Sequence, residues 1–128
     1  GAVLKTAFPA QHIHVPAAYM SRFDAHTYGN CDNVSAVSLE RMAQHVAALV
    51  REYPHHTTVA STGGTLSGDD DADRRSWQHN TRVLEAAGAH AVEYSLSCPQ
   101  GGDGADGAIA SQSAAVSARI AEWVLAAG

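Results

Sequence analysis

Apolar and polar positions along this chain switch between two periods. Residues 1–7, GAVLKTA, make a short apolar run that ends on Lys5-Thr6 and reads as a buried strand. Residues 8–33 show no period. Pro9, Pro16, Gly29 and scattered aromatic and histidine residues predict a long irregular segment, and loops of that length in compact domains usually carry function. Helical spacing begins after Ser38, a natural N-cap with Glu40 in the first turn. Leu39, Met42, Ala43, Val46, Leu49 and Val50 form the apolar stripe, and Pro54 stops it. Residues 57–61, TTVAS, predict a second strand, followed by Gly63-Gly64 and an acidic loop. A second helix is expected from about Asp73 to Ala87, with Trp77, Leu84 and Ala87 inward and Gly88 past its end. Residues 90–96 predict a third strand, with Val92 and Tyr94 two apart and Pro99 barring continuation. After a glycine-rich loop, Val116, Ile120, Trp123 and Ala127 mark one face of a third helix.

Strands alternating with helices imply parallel βαβ units. Three such strands fit part of an open doubly wound sheet or an arc of a (β/α)₈ barrel. Carried to their C-terminal ends, they deliver Lys5-Thr6, Ser61-Thr62 and Ser97-Cys98 to one rim, where barrel enzymes place their chemistry. Cys98 then reads either as a small buried hydrophobe or as a reactive thiol at a strand tip, before Pro99 and Gly101-Gly102. No GxGxxG opens a helix and no GxxxxGK[ST] is present, so the common nucleotide-binding fingerprints are missing.

Composition narrows the classes. The 128 residues allow one domain, and a hydrophobic fraction of 45% supplies a core. The net charge of −5 lacks any basic stripe and argues against a nucleic-acid partner. No apolar run reaches the ~20 residues that span a bilayer, so no membrane association is expected. Cys31 and Cys98, the two cysteines, form no spacing motif and suggest a reducing, cytoplasmic setting. Lys5 is the sole lysine.

The stretch Ala86-Ala87-Gly88-Ala89-His90-Ala91-Val92-Glu93-Tyr94-Ser95-Leu96-Ser97-Cys98-Pro99 resembles the segment around the cysteine of the dihydropyrimidine and dihydroorotate dehydrogenases. Three further stretches are similar to that family in the same order. Gly1-Ala2-Val3-Leu4-Lys5-Thr6 resembles the strand that ends in Lys-Thr beside the flavin. Asn33 to Ser38 resembles the asparagine-bearing turn before a helix, and Tyr53-Pro54 through Ser61 the following helix end and strand. The resemblance covers most of the chain and spans about strands 2 to 4 of an FMN-binding TIM barrel, leaving the barrel incomplete in this single segment of residues 1–128.

The resemblance implies an FMN-dependent oxidoreductase that moves hydride between the flavin and a pyrimidine-like C=C bond. Cys98 would be the proton donor and acceptor; an ordinary thiol titrates near ~8.5, which suits that role. Lys5, Thr6, Asn33 and Ser61 would hold the cofactor, and Asn33, Ser95 and Ser97 the substrate. Two positions depart from the family pattern. Ser95 replaces the asparagine three residues before the cysteine, and Ser35 replaces the acidic residue two after the turn asparagine.

An incomplete arc exposes strand edges, so a complementary barrel segment or a homo-oligomer is expected as partner. A chain that begins at Gly1 is likewise expected to be trimmed or partial. The alternative reading is a catalytically lapsed barrel segment used for binding or assembly. A third is a metal site among the eight histidines, with His12-x-His14 and His55-His56 the closest groupings and no HExxH or CxxC framework beside them. The acidic run Asp69-Asp70-Asp71-Ala72-Asp73 has Asn80, not glutamate, where a calcium loop beginning at Asp69 would need its last ligand. It reads as a solvated loop entering a helix.

Overall fold

The computed structural model describes residues 1–9, 20–30, 34–97 and 109–128. Its elements run β1 (Ala2–Val3), β2 (Met20–Arg22), β3 (Tyr28–Asn30), α1 (Leu39–Glu52), β4 (Thr58–Thr62), α2 (Asp70–Ala86), β5 (Ala91–Tyr94), a 3₁₀ turn (Ala110–Gln112) and α3 (Ala114–Leu125). The strands β1, β4 and β5 form a parallel sheet in sequential order, with Val3 opposite Val59 and Val59 opposite Ala91. The result is a mixed α/β arc, and the expectation of parallel βαβ units holds.

The three helices share one face of the sheet. Leu39 and Val46 of α1, Ala60 of β4 and Leu84 of α2 are fully buried together, and Leu4 and Val92 pack against them. Trp77 of α2, Ala110 and Ile120 of α3 form a second cluster, joined by Tyr94 and Leu96. Side chains alternate along a strand, so the residues between these point the other way. Val3, Val59, Ala91 and Glu93 therefore line a face that no described helix covers, and Val3 is 64% exposed.

α1 matches its expected span, with Ser38 Oγ accepting from the Arg41 N–H. α2 begins three residues before the expected start, because Asp69 caps it by accepting from the Asp71 and Ala72 N–H groups. The acidic run is solvated only in part. Asp73 is 2% exposed and accepts from the hydroxyls of Thr65 and Ser67 and the N–H groups of Ser67 and Gly68, which ties the β4–α2 loop to its helix. Burial is the largest single influence on this carboxyl and pushes its pKa up. The Ser67 N–H, the Thr65 and Ser67 hydroxyls and the Gly68 N–H together outweigh it and hold the group below its ordinary 3.8. A depressed folded pKa contributes stability that is complete above the unfolded value and is lost as pH falls through the folded one. Asp73→Asn is therefore expected to cost about 1–3 kcal/mol near neutral pH, as hydrogen bonds to a charged acceptor are lost. It should also flatten the acid end of the stability profile. Urea unfolding across the acid range checks this; an acid limb as steep as that of the parent chain would contradict it.

Residues 8–33 are not wholly irregular. β2 and β3 pair as an antiparallel hairpin, with Met20 opposite Asn30 and Arg22 opposite Tyr28. The turn is closed by Asp24, whose Oδ1 accepts from the His26 and Thr27 N–H groups and whose Oδ2 accepts from the Thr27 hydroxyl. Short polar side chains close turns in this way without any apolar period to announce them.

Candidate active site

The parallel register contains one irregularity, and it falls on Lys5-Thr6. Val3 pairs with Val59 and Ala7 with Thr62, so Leu4, Lys5 and Thr6 on one side face only Ala60 and Ser61 on the other. The ladder is regular up to the Leu4 N–H, which donates to the Val59 carbonyl at 2.9 Å. It resumes at the Ala7 N–H, which donates to the Ser61 carbonyl at 2.9 Å. Lys5 and Thr6 thus share Ser61 as their opposite residue in a β-bulge, a device that re-aims side chains and recurs beside active sites. The bulge is held from the helix side, where the Thr62 hydroxyl donates to the Ala7 carbonyl at 2.8 Å.

On the face that no described helix covers, three side chains, one from just beyond β1 and one each from β4 and β5, form a hydrogen-bonded row. Ser61 Oγ donates to Glu93 Oε1 at 2.8 Å, and Thr6 Oγ1 lies 2.8 Å from Ser61 Oγ. Ser61 is fully buried, Thr6 half-buried and Lys5 exposed. Beyond the end of β5 the ladder continues for one step, the Ser95 N–H donating to the Thr62 carbonyl at 2.8 Å. Ser95 is half-buried and Ser97 exposed. The structure therefore brings Lys5, Thr6 and Ser61 together, with Ser95 and Ser97 continuing the strand beside them. Asn33 and Cys98 lie outside the described residues. Of the expected Ser61-Thr62 pair only Ser61 joins the rim, since Thr62 faces the helices.

The loop behind this row has no room for side chains. A Cβ on Gly63 would come within 2.7 Å of the Phe8 ring, and one on Gly64 within 2.5 Å of the Trp77 ring. Asn80 Nδ2 donates to the Gly63 carbonyl at 2.6 Å and fixes the turn from α2. Tyr94 stands on the helix side. The Thr81 hydroxyl gives its hydrogen to the Trp77 carbonyl, so Tyr94 donates to Thr81 across 2.9 Å. Burial, opposed by that hydrogen bond and aided by nearby Glu85, raises the phenol above its ordinary value of 10.0 and keeps it a donor.

Glu93 is the site residue that sequence reasoning missed. Its signal was an acidic side chain within a short strand, on the same alternating face as Ser95 and Ser97. Ser35, the other departure from the family pattern, is buried. Its N–H donates to the Thr6 carbonyl at 2.6 Å and its hydroxyl accepts from the Val37 N–H, so it braces the strand end carrying Thr6.

Among the described residues no three histidine, cysteine or acidic side chains are grouped to hold a metal ion; His55 and His56 are exposed, and His12 and His14 lie outside those residues. A cavity of about 230 Å³ lies between the start of α2 and α3, against Leu66, Ile109, Val116 and Trp123. It holds none of the rim residues. No described helix is long and apolar enough to cross a membrane. Compared with protein-family models and with curated protein sequences, the chain matches none.

Proposed function

We propose that this chain is an arc of a (β/α)₈ barrel and acts as an FMN-dependent oxidoreductase of the dihydropyrimidine or dihydroorotate dehydrogenase type, or as a segment of one. The observation that carries the reading is the bulge, which sets Lys5 and Thr6 opposite Ser61 on the one face of a sequential parallel sheet that no described helix covers. A doubly wound sheet would place helices on both faces.

The residues present fit a flavin ring laid over the strand ends. Lys5 is exposed there and Thr6 is reachable, while Ser61 is buried beneath and acts through Thr6 rather than by touching the ring. Bound FMN would supply hydride chemistry, accepting or returning two electrons at its ring. The chain's own residues would do the rest. Lys5 would place a cation where negative charge gathers on reduction, Ser95 and Ser97 would orient a pyrimidine-like substrate, and Asn33 would hydrogen-bond a ring edge. Cys98 would move the proton at its Sγ. The two sheet edges at β1 and β5 and the exposed Val3 favour a complementary barrel segment or a second copy as partner. A cytoplasmic location belongs to the same reading.

The visible spectrum of the purified protein tests it most directly: an oxidised-flavin band should be present, or appear on adding FMN with the completing partner. A protein colourless under both conditions would instead be a barrel segment kept for assembly. Lys5→Met gives a second check. Losing about 1.4 kcal/mol of interaction with the reduced ring alone lowers a two-electron potential by about 30 mV. An unchanged potential with flavin still bound would contradict the role of Lys5.

A further inference from the structure

We infer that Glu93 is a positioning residue that fixes the direction of the Thr6–Ser61 row, so that the group docking over Thr6 must be a hydrogen-bond donor. Ser61 has a single hydroxyl hydrogen, and it goes to Glu93 Oε1 at 2.8 Å. Nothing remains for Ser61 to give Thr6, so the 2.8 Å contact between the two hydroxyls is Thr6 donating to Ser61. Thr6 then has no hydrogen for a ligand and presents only lone pairs. Without the carboxylate, buried Ser61 turns its hydrogen toward Thr6 Oγ1, and Thr6 turns its own outward. One side chain on β5 thus sets whether a residue beside β1 accepts or donates, across the whole width of the sheet.

The inference rests on the flavin reading only for the identity of the donor. Oxidised isoalloxazine carries one ring N–H, in its pyrimidine portion, and that is the donor assigned to Thr6. The test uses lumiflavin and 3-methyllumiflavin, which differ in that hydrogen. The present chain is expected to bind lumiflavin about 10-fold more tightly, the equivalent of about 1.4 kcal/mol and one hydrogen bond. Glu93→Leu should abolish the preference, and Glu93→Gln, whose amide oxygen still accepts from Ser61, should keep it. Equal affinity of the present chain for the two flavins would overturn the donor requirement.

A ligand-free measurement tests the relay itself. Thr6→Val and Glu93→Leu alter opposite edges of the sheet and, among the described residues, are linked through Ser61, so their losses in Tm should combine to less than their sum. In a Ser61→Ala background they should add. Additivity with Ser61 present would overturn the positioning role. If neither flavin binds even with the completing partner added, the flavin reading fails, and the stability cycle alone confirms or overturns the role of Glu93.

Discussion

Trp77→Ala is expected to cost about 3–5 kcal/mol in urea unfolding, among the largest single-residue losses available in this chain. Trp77 is 1% exposed and centres the second hydrophobic cluster between Ala110 and Ile120, with its ring centroid 6.3 Å from that of Tyr94. Its Nε1–H donates to the Thr65 carbonyl at 3.0 Å, so truncation opens a cavity and also removes a partner from that carbonyl. Small domains have only about 5–15 kcal/mol of total stability, so the variant should be close to its threshold. Trp77→Phe separates the two contributions: it keeps most of the ring, loses the N–H, and should cost about 1 kcal/mol. The same ring packs over Gly64 next to the site, so Trp77→Ala should also loosen the turn that follows β4. A loss below about 1 kcal/mol in Trp77→Ala would show that the second cluster does not hold α3 to the sheet.

The α2 stripe shows how far apolar periodicity reaches in this chain. Its buried positions are Asp73, Trp77, Asn80, Thr81 and Leu84, which follow helical spacing closely. Only Trp77 and Leu84 are apolar, so the hydrophobic pattern marks two points of the face and starts the helix late. The three polar members sit in the stripe because each makes a local hydrogen bond, although Asn80 Oδ1 is buried with no partner among the described residues. Asp73 binds the loop, Asn80 the Gly63 carbonyl, and Thr81 the Trp77 carbonyl and Tyr94. α1, whose buried face is Leu39, Met42 and Val46, is legible to its ends.

The rim is legible in its residues and not in its arrangement. Lys5-Thr6 and Ser61 stand out as strand ends in the sequence, and the structure puts them side by side. The extra residue that makes Lys5 and Thr6 share one partner leaves no mark on the hydrophobic pattern, because it depends on the pairing of strands more than fifty residues apart. Glu93 escapes for the same reason. Its meaning comes from Ser61, one strand away, and a single acidic residue in a strand reads as ordinary surface until that neighbour is known. The β2–β3 hairpin stays hidden because a five-residue turn closed by Asp24 needs no glycine or proline.

Cys98→Ala is expected to lower turnover by about 10²–10⁴-fold with flavin content unchanged, the range by which positioned acid–base groups accelerate reactions. Cys98 follows directly on Ser97, at the end of the segment in which Tyr94 and Leu96 pack toward the helices and Glu93 and Ser95 alternate with them. A thiol can both hold a proton at neutral pH and release it, whereas a serine hydroxyl does not ionise in water at usable pH. Cys98→Ser should therefore recover little of the lost rate. The pH profile separates a proton-transfer role from a packing role. If Cys98 carries the proton, the limb assigned to a group near ~8.5 should vanish in Cys98→Ala. A packing defect would instead lower the whole profile and leave its shape intact. Single-turnover reduction of the bound flavin by substrate reads the chemical step without product release. Full-rate reduction in Cys98→Ala, with the pH limb in place, would remove Cys98 from the mechanism and pass the proton to another group at the rim.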